Sequence, residues 1–211
     1  MATTTLFTFA ELEFLLRSAA GSEGAAARVD AVRERLGLRA EDGAERIAAA
    51  GVASLLARDL CAERDGDVVP GALVTAAVAA LTTAHTRTEA AGWIDGRPVA
   101  VHLFTGAVAR LVLSPASFGL YTAEVIDPAE PVSRPLERFI DLCAAAPGQT
   151  AVAIRSERIG TGAETGLAVA RTEDGGWLLS DTVRNPDDGR PATRAEIDAR
   201  LEALFGAAVG A

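Results

Sequence analysis

The chain contains no lysine: all 20 of its Lys+Arg residues are arginine. Without that amine there is no Walker A phosphate loop, no pyridoxal-phosphate or other Schiff-base chemistry, and no Ser-Lys hydrolase. Aromatics are scarce at 5%, so a core must be built mainly of Ala, Val and Leu. There are two cysteines, Cys61 and Cys143, and two histidines, His85 and His102; neither set has zinc-ligand spacing. Both cysteines fall on apolar patterns that read as helical, so they are expected as buried, reduced thiols in a reducing cytosol. Long hydrophobic runs are missing too. The longest uncharged stretch, Val68 to Ala84, holds Pro70 and Gly71 and is short of the ~20 apolar residues of a span. Glu11 and Glu13 interrupt the first apolar stretch and no basic residue precedes Arg17, so no signal peptide is expected. The expectation is a cytoplasmic protein with no membrane insertion. No G-x-S-x-G elbow and no H-E-x-x-H helix occurs.

What is present is an ordinary globular balance, 49% hydrophobic and 23% charged over 211 residues. A chain of this length buries about 70% of its unfolded surface and needs no disulfide or metal to fold. The net charge of −9 argues against sequence-independent nucleic-acid binding and against docking on anionic lipid.

Capping signals punctuate the amino-terminal part. Thr8 and Glu11 form a capping box, with Phe7 placed to staple onto Leu12. The helix that follows turns Leu12, Leu15, Leu16 and Ala19 inward. Ser22 opens a second helix with Val29, Val32 and Leu36, stopped by Gly37. Asp42 and Glu45 cap a third, with Ile47, Leu55, Leu56 and Leu60 at helical spacing, broken at Gly66. Pro70 suits the first turn of a fourth, with Leu73, Val74, Ala77, Val78 and Leu81 inward.

Alternation replaces helical spacing near Thr83. Asp95-Gly96 is a two-residue hairpin signal between strands at about 84–94 and 97–104, and further strands at 107–113 and 118–126 complete a meander. Asp127-Pro128 ends it. Ser133 and Pro135 open a fifth helix, with Leu136, Phe139, Ile140 and Cys143 inward, and Pro147-Gly148 closes it. Strands near 150–158, 165–171 and 176–182 follow, then a loop at Asn185 to Gly189. Thr193 and Glu196 cap a last helix with Ile197, Leu201, Leu204 and Phe205 on one face. The reading is one α+β domain over 1–211 with a mixed or antiparallel sheet: helical over 8–82, sheet and helix over 84–146, sheet and C-terminal helix over 150–206. Trp93-Ile94-Asp95-Gly96 and Asp174-Gly175-Gly176-Trp177 are similar pieces that hint at two quasi-symmetric halves.

Pairing across Asp95-Gly96 sets His102 opposite Glu89 and Phe104 opposite Arg87, on one face with Trp93 and Pro98. Ile94, Val99, Val101 and Leu103 are then the core side. A His–carboxylate pair can orient a base, but no nucleophile motif accompanies it, and a cross-strand ion pair is the simpler reading. The glycine-rich loop Gly160 to Gly166 precedes a strand rather than a helix, unlike a phosphate cradle. Ser114, Ser117 and Thr161 read as turn residues, and Asp187-Asp188-Gly189 lacks the alternating oxygens of a calcium loop.

The opening Phe7 to Leu15, the Ala-rich third helix, Gly92-Trp93-Ile94-Asp95-Gly96, Glu173 to Leu179 and the capped helix from Thr193 to Leu204 together resemble the EspG-type secretion chaperones of type VII (ESX) systems in actinobacteria. The chain is shorter than is usual for that family. The resemblance implies a cytosolic, non-enzymatic fold with no cofactor, quasi-two-fold halves and a central antiparallel sheet. It implies a partner too: the apolar tip of a helical secretion substrate, PE/PPE-like, kept soluble until export. In that family the loop joining the second and third strands, with the C-terminal helices, contributes to the contact; counting the strand before Thr8 as the first, the resemblance implies Asp95-Gly96-Arg97-Pro98 as the corresponding loop. Trp93, large and amphipathic beside a tight turn, is the candidate anchor. Two alternatives stand next to this reading. One is a small α+β enzyme or small-molecule-binding domain using His102 and Glu89; the other is a homo-oligomeric structural protein.

Overall fold

The computed structural model describes residues 3–20, 26–36, 38, 44–127, 129–146, 150–183 and 189–205. The expectations for Ser22, Gly37, Asp42, Pro128, Pro147-Gly148 and Asn185 to Asp188 lie outside them. The described elements, in chain order, are β1 (Thr3–Thr8), α1 (Phe9–Ala20), α2 (Ala26–Arg35), α3 (Ala44–Ala57), β2 (Cys61–Arg64), β3 (Asp67–Pro70), α4 (Ala72–Thr83), β4 (Ala84–Ile94), β5 (Arg97–Gly106), β6 (Arg110–Pro115), β7 (Leu120–Ile126), α5 (Arg134–Ala144), β8 (Thr150–Arg158), β9 (Glu164–Arg171), β10 (Trp177–Ser180), β11 (Arg190–Ala192) and α6 (Arg194–Phe205). The fold is α+β with antiparallel strand pairing. No described helix is long and apolar enough to cross a membrane. Two compact units form, each from two chain stretches: Met1–His85 with Phe104–Pro128, and Thr86–Leu103 with Ala129–Ala211. Both Trp-bearing hairpins fall in the second unit, so they do not mark one half each.

In the first unit the strands run β1-β7-β6. Alternation along β1 and β7 turns Phe7, Tyr121 and Ala123 inward, all buried. The capping box forms as the spacing predicts: the Thr8 N–H donates to Glu11 Oε2 at 2.7 Å, and the Glu11 N–H donates to Thr8 Oγ1 at 3.1 Å. Glu11 does more than cap. It is 0% exposed, and it also accepts from Ser54 Oγ and Arg58 Nη1, each at 2.8 Å, which ties α1 to α3. Glu13, also buried, accepts from Arg33 Nε at 3.1 Å and Nη2 at 2.9 Å, tying α1 to α2. Two buried carboxylates in one helix are tolerable only because each meets an arginine and further donors.

The helix α1 also crosses α3 at very short range. A Cβ placed on Gly51 would lie 2.0 Å from the Ala10 carbonyl oxygen, so only glycine fits. The α3 helix ends in a Schellman motif, with the Leu60 N–H bonded to the Leu55 carbonyl and the Asp59 N–H to that of Leu56. Asp59 takes the left-handed position, φ 55°.

Gly66 does not simply end a helix. Asp65 and Gly66, at φ 55° and 87°, form the turn of a separate two-stranded ribbon, β2–β3. Cys61 therefore sits on a strand, paired with Pro70, and Pro70 closes β3 instead of opening α4. Alternation is masked here because the ribbon is largely exposed and carries charge on both sides. Cys61 is buried nonetheless, as is Cys143 on α5.

In the second unit the strands run β5-β4-β8-β9-β10-β11, with β11 too short to stand out in the sequence. The α6 cap forms as expected, the Thr193 N–H donating to Glu196 Oε2 at 2.7 Å.

Gly51→Ala separates two effects of opposite sign. Helix propensity alone would stabilise α3 by about 1 kcal/mol. The clash with a backbone carbonyl costs more, typically about 1–3 kcal/mol for overpacking that the backbone must absorb. The expected result is a lower Tm by thermal denaturation; an unchanged or raised Tm would show that the helices separate freely.

Candidate partner-binding face

The β4–β5 hairpin turns at Asp95 and Gly96, both at positive φ, 50° and 72°. Two consecutive left-handed residues make the type I′ turn that Asp-Gly favours. Asp95, Gly96, Arg97 and Pro98 are all exposed, and Trp93 is 54% exposed. Arg97 forms no ion pair among the described residues.

What fixes the direction of Trp93 is its neighbour. A Cβ on Gly92 would lie 2.9 Å from Cys143 Sγ and 3.2 Å from Val152 Cγ2. Gly92 therefore faces α5, and strand alternation turns Trp93 to the other side. Burial pushes the Cys143 thiol pKa up, with the Trp93 backbone amide acting against it.

The registers sort the rest of this unit onto the same two faces. Towards α5 lie Ala90, Ile154 and Leu167 in one row and Val152, Val169 and Leu179 in the next, all buried. On the side of Trp93, Ala151, Ala170 and Leu178 form a row, and Ala91, Ala153, Ala168 and Ser180 a second. Of these, Ala91, Ala151, Ala153, Ala170 and Leu178 are only half-buried. Val183 lies over the far side of this face, at Gly166, where a Cβ would meet its Cγ1 at 2.8 Å. The open face thus has a shallow alanine floor beside an exposed indole, with charged rows further along. Glu89 is registered with Arg155, and Arg87 with Glu157, whose carboxylate Arg87 meets at 2.8 Å.

The structure brings His102 and Glu89 together as the pairing predicts, but Nδ1 to Oε2 is 3.9 Å, an electrostatic contact and not a hydrogen bond. The His102 Nδ1 is buried with no hydrogen-bond partner among the described residues. Burial holds the imidazole pKa below the usual histidine range; Glu89 opposes that shift and Arg87 adds to it. Two expectations for β5 fail. His102 and Phe104 were expected on an open face with Trp93 and Pro98, yet both are buried, because β5 is covered on both sides from His102 to Thr105. Val99 and Val101, expected as core, are half-buried; Leu103 is buried.

The second tryptophan has a structural setting. Trp177 lies on the α5 side, with the guanidinium carbons of Arg171 and Arg194 each 5.8 Å from its ring. Arg194 also pairs with Asp141 of α5 and with Asp198 of its own helix, and Arg171 donates to the Ala144 carbonyl at the end of α5. These contacts fasten both helices to the sheet. Leu201 and Phe205, on the apolar face of α6, point inward and are buried. The alanine floor itself escaped sequence reading. Its signal, Ala at alternate positions in three strands, is visible only once the registers are known.

No protein-family model matches the chain, and no curated protein is significantly similar to it in sequence.

A titration follows from the setting of His102. Unfolding returns the imidazole to an ordinary value of about 6.5. Below that pH the unfolded chain binds more protons than the folded one, so His102 lowers stability as pH falls through it. His102→Gln should therefore lose less Tm than the wild type between about pH 7.5 and 5.5. Equal losses in the two proteins would contradict the buried, neutral imidazole.

Proposed function

We propose that the chain is a non-enzymatic chaperone or adaptor which holds a helical, aggregation-prone partner on the open face of its second unit. In this reading it acts as the EspG-type secretion chaperones do towards PE/PPE-like substrates, in the cytoplasm and without a cofactor. The supporting observation is the contrast between the two faces of one sheet. One is sealed by α5 and α6 over fully buried aliphatic side chains; the other keeps a half-buried alanine floor with Trp93 standing beside it. Small side chains let a helix approach a sheet closely, and an exposed indole at the rim supplies an anchor of large contact area. Pro98, opposite Trp93, continues this surface past the turn, and Arg97, exposed at the turn itself, is available to a carboxylate or carbonyl on the partner. The net charge of −9 would keep the loaded complex dispersed.

The test begins with co-expression beside small helical secretion proteins encoded nearby, followed by size-exclusion chromatography. Calorimetric titration then compares variants. Truncating an interface anchor costs about 2 kcal/mol, roughly 30-fold in affinity. Trp93→Ala is expected to weaken capture by about that factor with little change in Tm, since the indole is more than half exposed. Arg97→Ala should weaken capture too, with Tm unchanged. Wild-type affinity in both variants would remove the hairpin from the binding surface.

A further inference from the structure

In the first unit β1 is the outermost strand of the order β1-β7-β6. Alternate residues of such a strand turn their N–H and C=O groups towards the neighbour and away from it. The Leu6 carbonyl accepts from Arg58 Nη2 at 2.9 Å, and the Thr8 N–H donates to Glu11 Oε2 at 2.7 Å. These two groups are two residues apart and both bind side chains, so they belong to the row that faces away from β7. Arg58 and Glu11 are themselves joined, Nη1 lying 2.8 and 2.9 Å from the two carboxylate oxygens. One ion pair thus occupies a backbone acceptor and a backbone donor that a further strand would need.

The strand behind this pair is prone to such pairing. Thr3-Thr4-Thr5-Leu6-Phe7-Thr8 carries no charge, proline or glycine and is rich in β-branched residues, the composition that invites edge-to-edge association. Leu6 is 45% exposed on it. In the second unit the outermost strand is protected differently: β11 has three residues with Pro191 at its centre, which has no N–H to offer.

We infer that the Glu11–Arg58 pair is an edge guard, and that without it β1 pairs with β1 of a second copy of this chain. A second copy is the fitting occupant because antiparallel pairing of two identical uncharged strands sets no like charges against each other. The two-fold contact it makes is also closed.

Sedimentation velocity over a concentration series tests this, with Tm measured alongside. Arg58→Ala is expected to form a dimer or larger species whose share rises with concentration. Arg33→Ala, which takes one of two arginines from the neighbouring buried carboxylate Glu13 away from the edge and leaves Arg17 at 3.6 Å, should sediment as the wild type does. Adding Leu6→Lys to Arg58→Ala should restore wild-type sedimentation without restoring Tm. If Arg58→Ala fails to fold, Arg58→Lys serves instead. It keeps a charge for Glu11, lacks the second nitrogen that reaches Leu6, and should also associate in a Leu6→Lys-sensitive way. The inference is overturned if the variant that folds sediments as wild type, if Arg33→Ala associates equally, or if Leu6→Lys leaves the assembly intact.

Discussion

The functional account depends on one close approach, that of α5 to β4 at Gly92. There is no room for a Cβ between the strand and Cys143 Sγ, and this absence of a side chain lets the helix settle on the sheet. Everything about the candidate face follows from it by alternation. If Gly92 points at α5, then Trp93 points away, and with it Ala91, Ala151, Ala153 and Ala170. The aliphatic residues that could drive folding of this unit, among them Ile154, Leu167, Val152 and Val169, lie on the covered side. The alanines opposite them contribute little apolar area to the fold. That leaves a stretch of small, half-buried side chains beside Trp93, whose indole stands in solvent.

The first unit is organised by a different constraint, the satisfaction of buried polar groups. Glu11 has no exposure and accepts four contacts from three donor atoms: the Thr8 amide, the Ser54 hydroxyl and Arg58 Nη1, which meets both carboxylate oxygens. A carboxylate so placed is costly unless every donor stays in position. It therefore fixes the start of α1, the approach of α3 and the outward edge of β1 together. The close crossing at Gly51 serves the same arrangement, since it brings Ser54 and Arg58 within reach of α1.

Local signals in the sequence carried much of this. The Thr8–Glu11 and Thr193–Glu196 boxes, the Asp95-Gly96 turn and the helical faces of α1 and α5 form where spacing puts them, because each is decided by contacts within a few residues. The failures are those of long-range context. Asp65-Gly66 carries the same turn signal as Asp95-Gly96, but the exposed, charged strands around it show no apolar alternation. Glu11 and Glu13 look like surface acids until Arg58 and Arg33, some 47 and 20 residues away in sequence, are placed against them. On β5 a clean alternation could not show that both faces are covered from His102 onward. Of the candidate site, the hairpin tip was legible in full, whereas the floor beside it needed the pairing of β4 with β8 and of β8 with β9.

The central claim is that a partner lies on the alanine face of the second unit, beside Trp93. Amide hydrogen exchange of the chain alone and in complex with a co-purified helical partner tests it most directly. The account predicts new protection across the hairpin at residues 93–98 and in the β8 and β9 segments that carry Ala151, Ala153 and Ala170, with α1 to α3 unchanged. Protection confined to the first unit, with the hairpin exchanging as in the free chain, would contradict it.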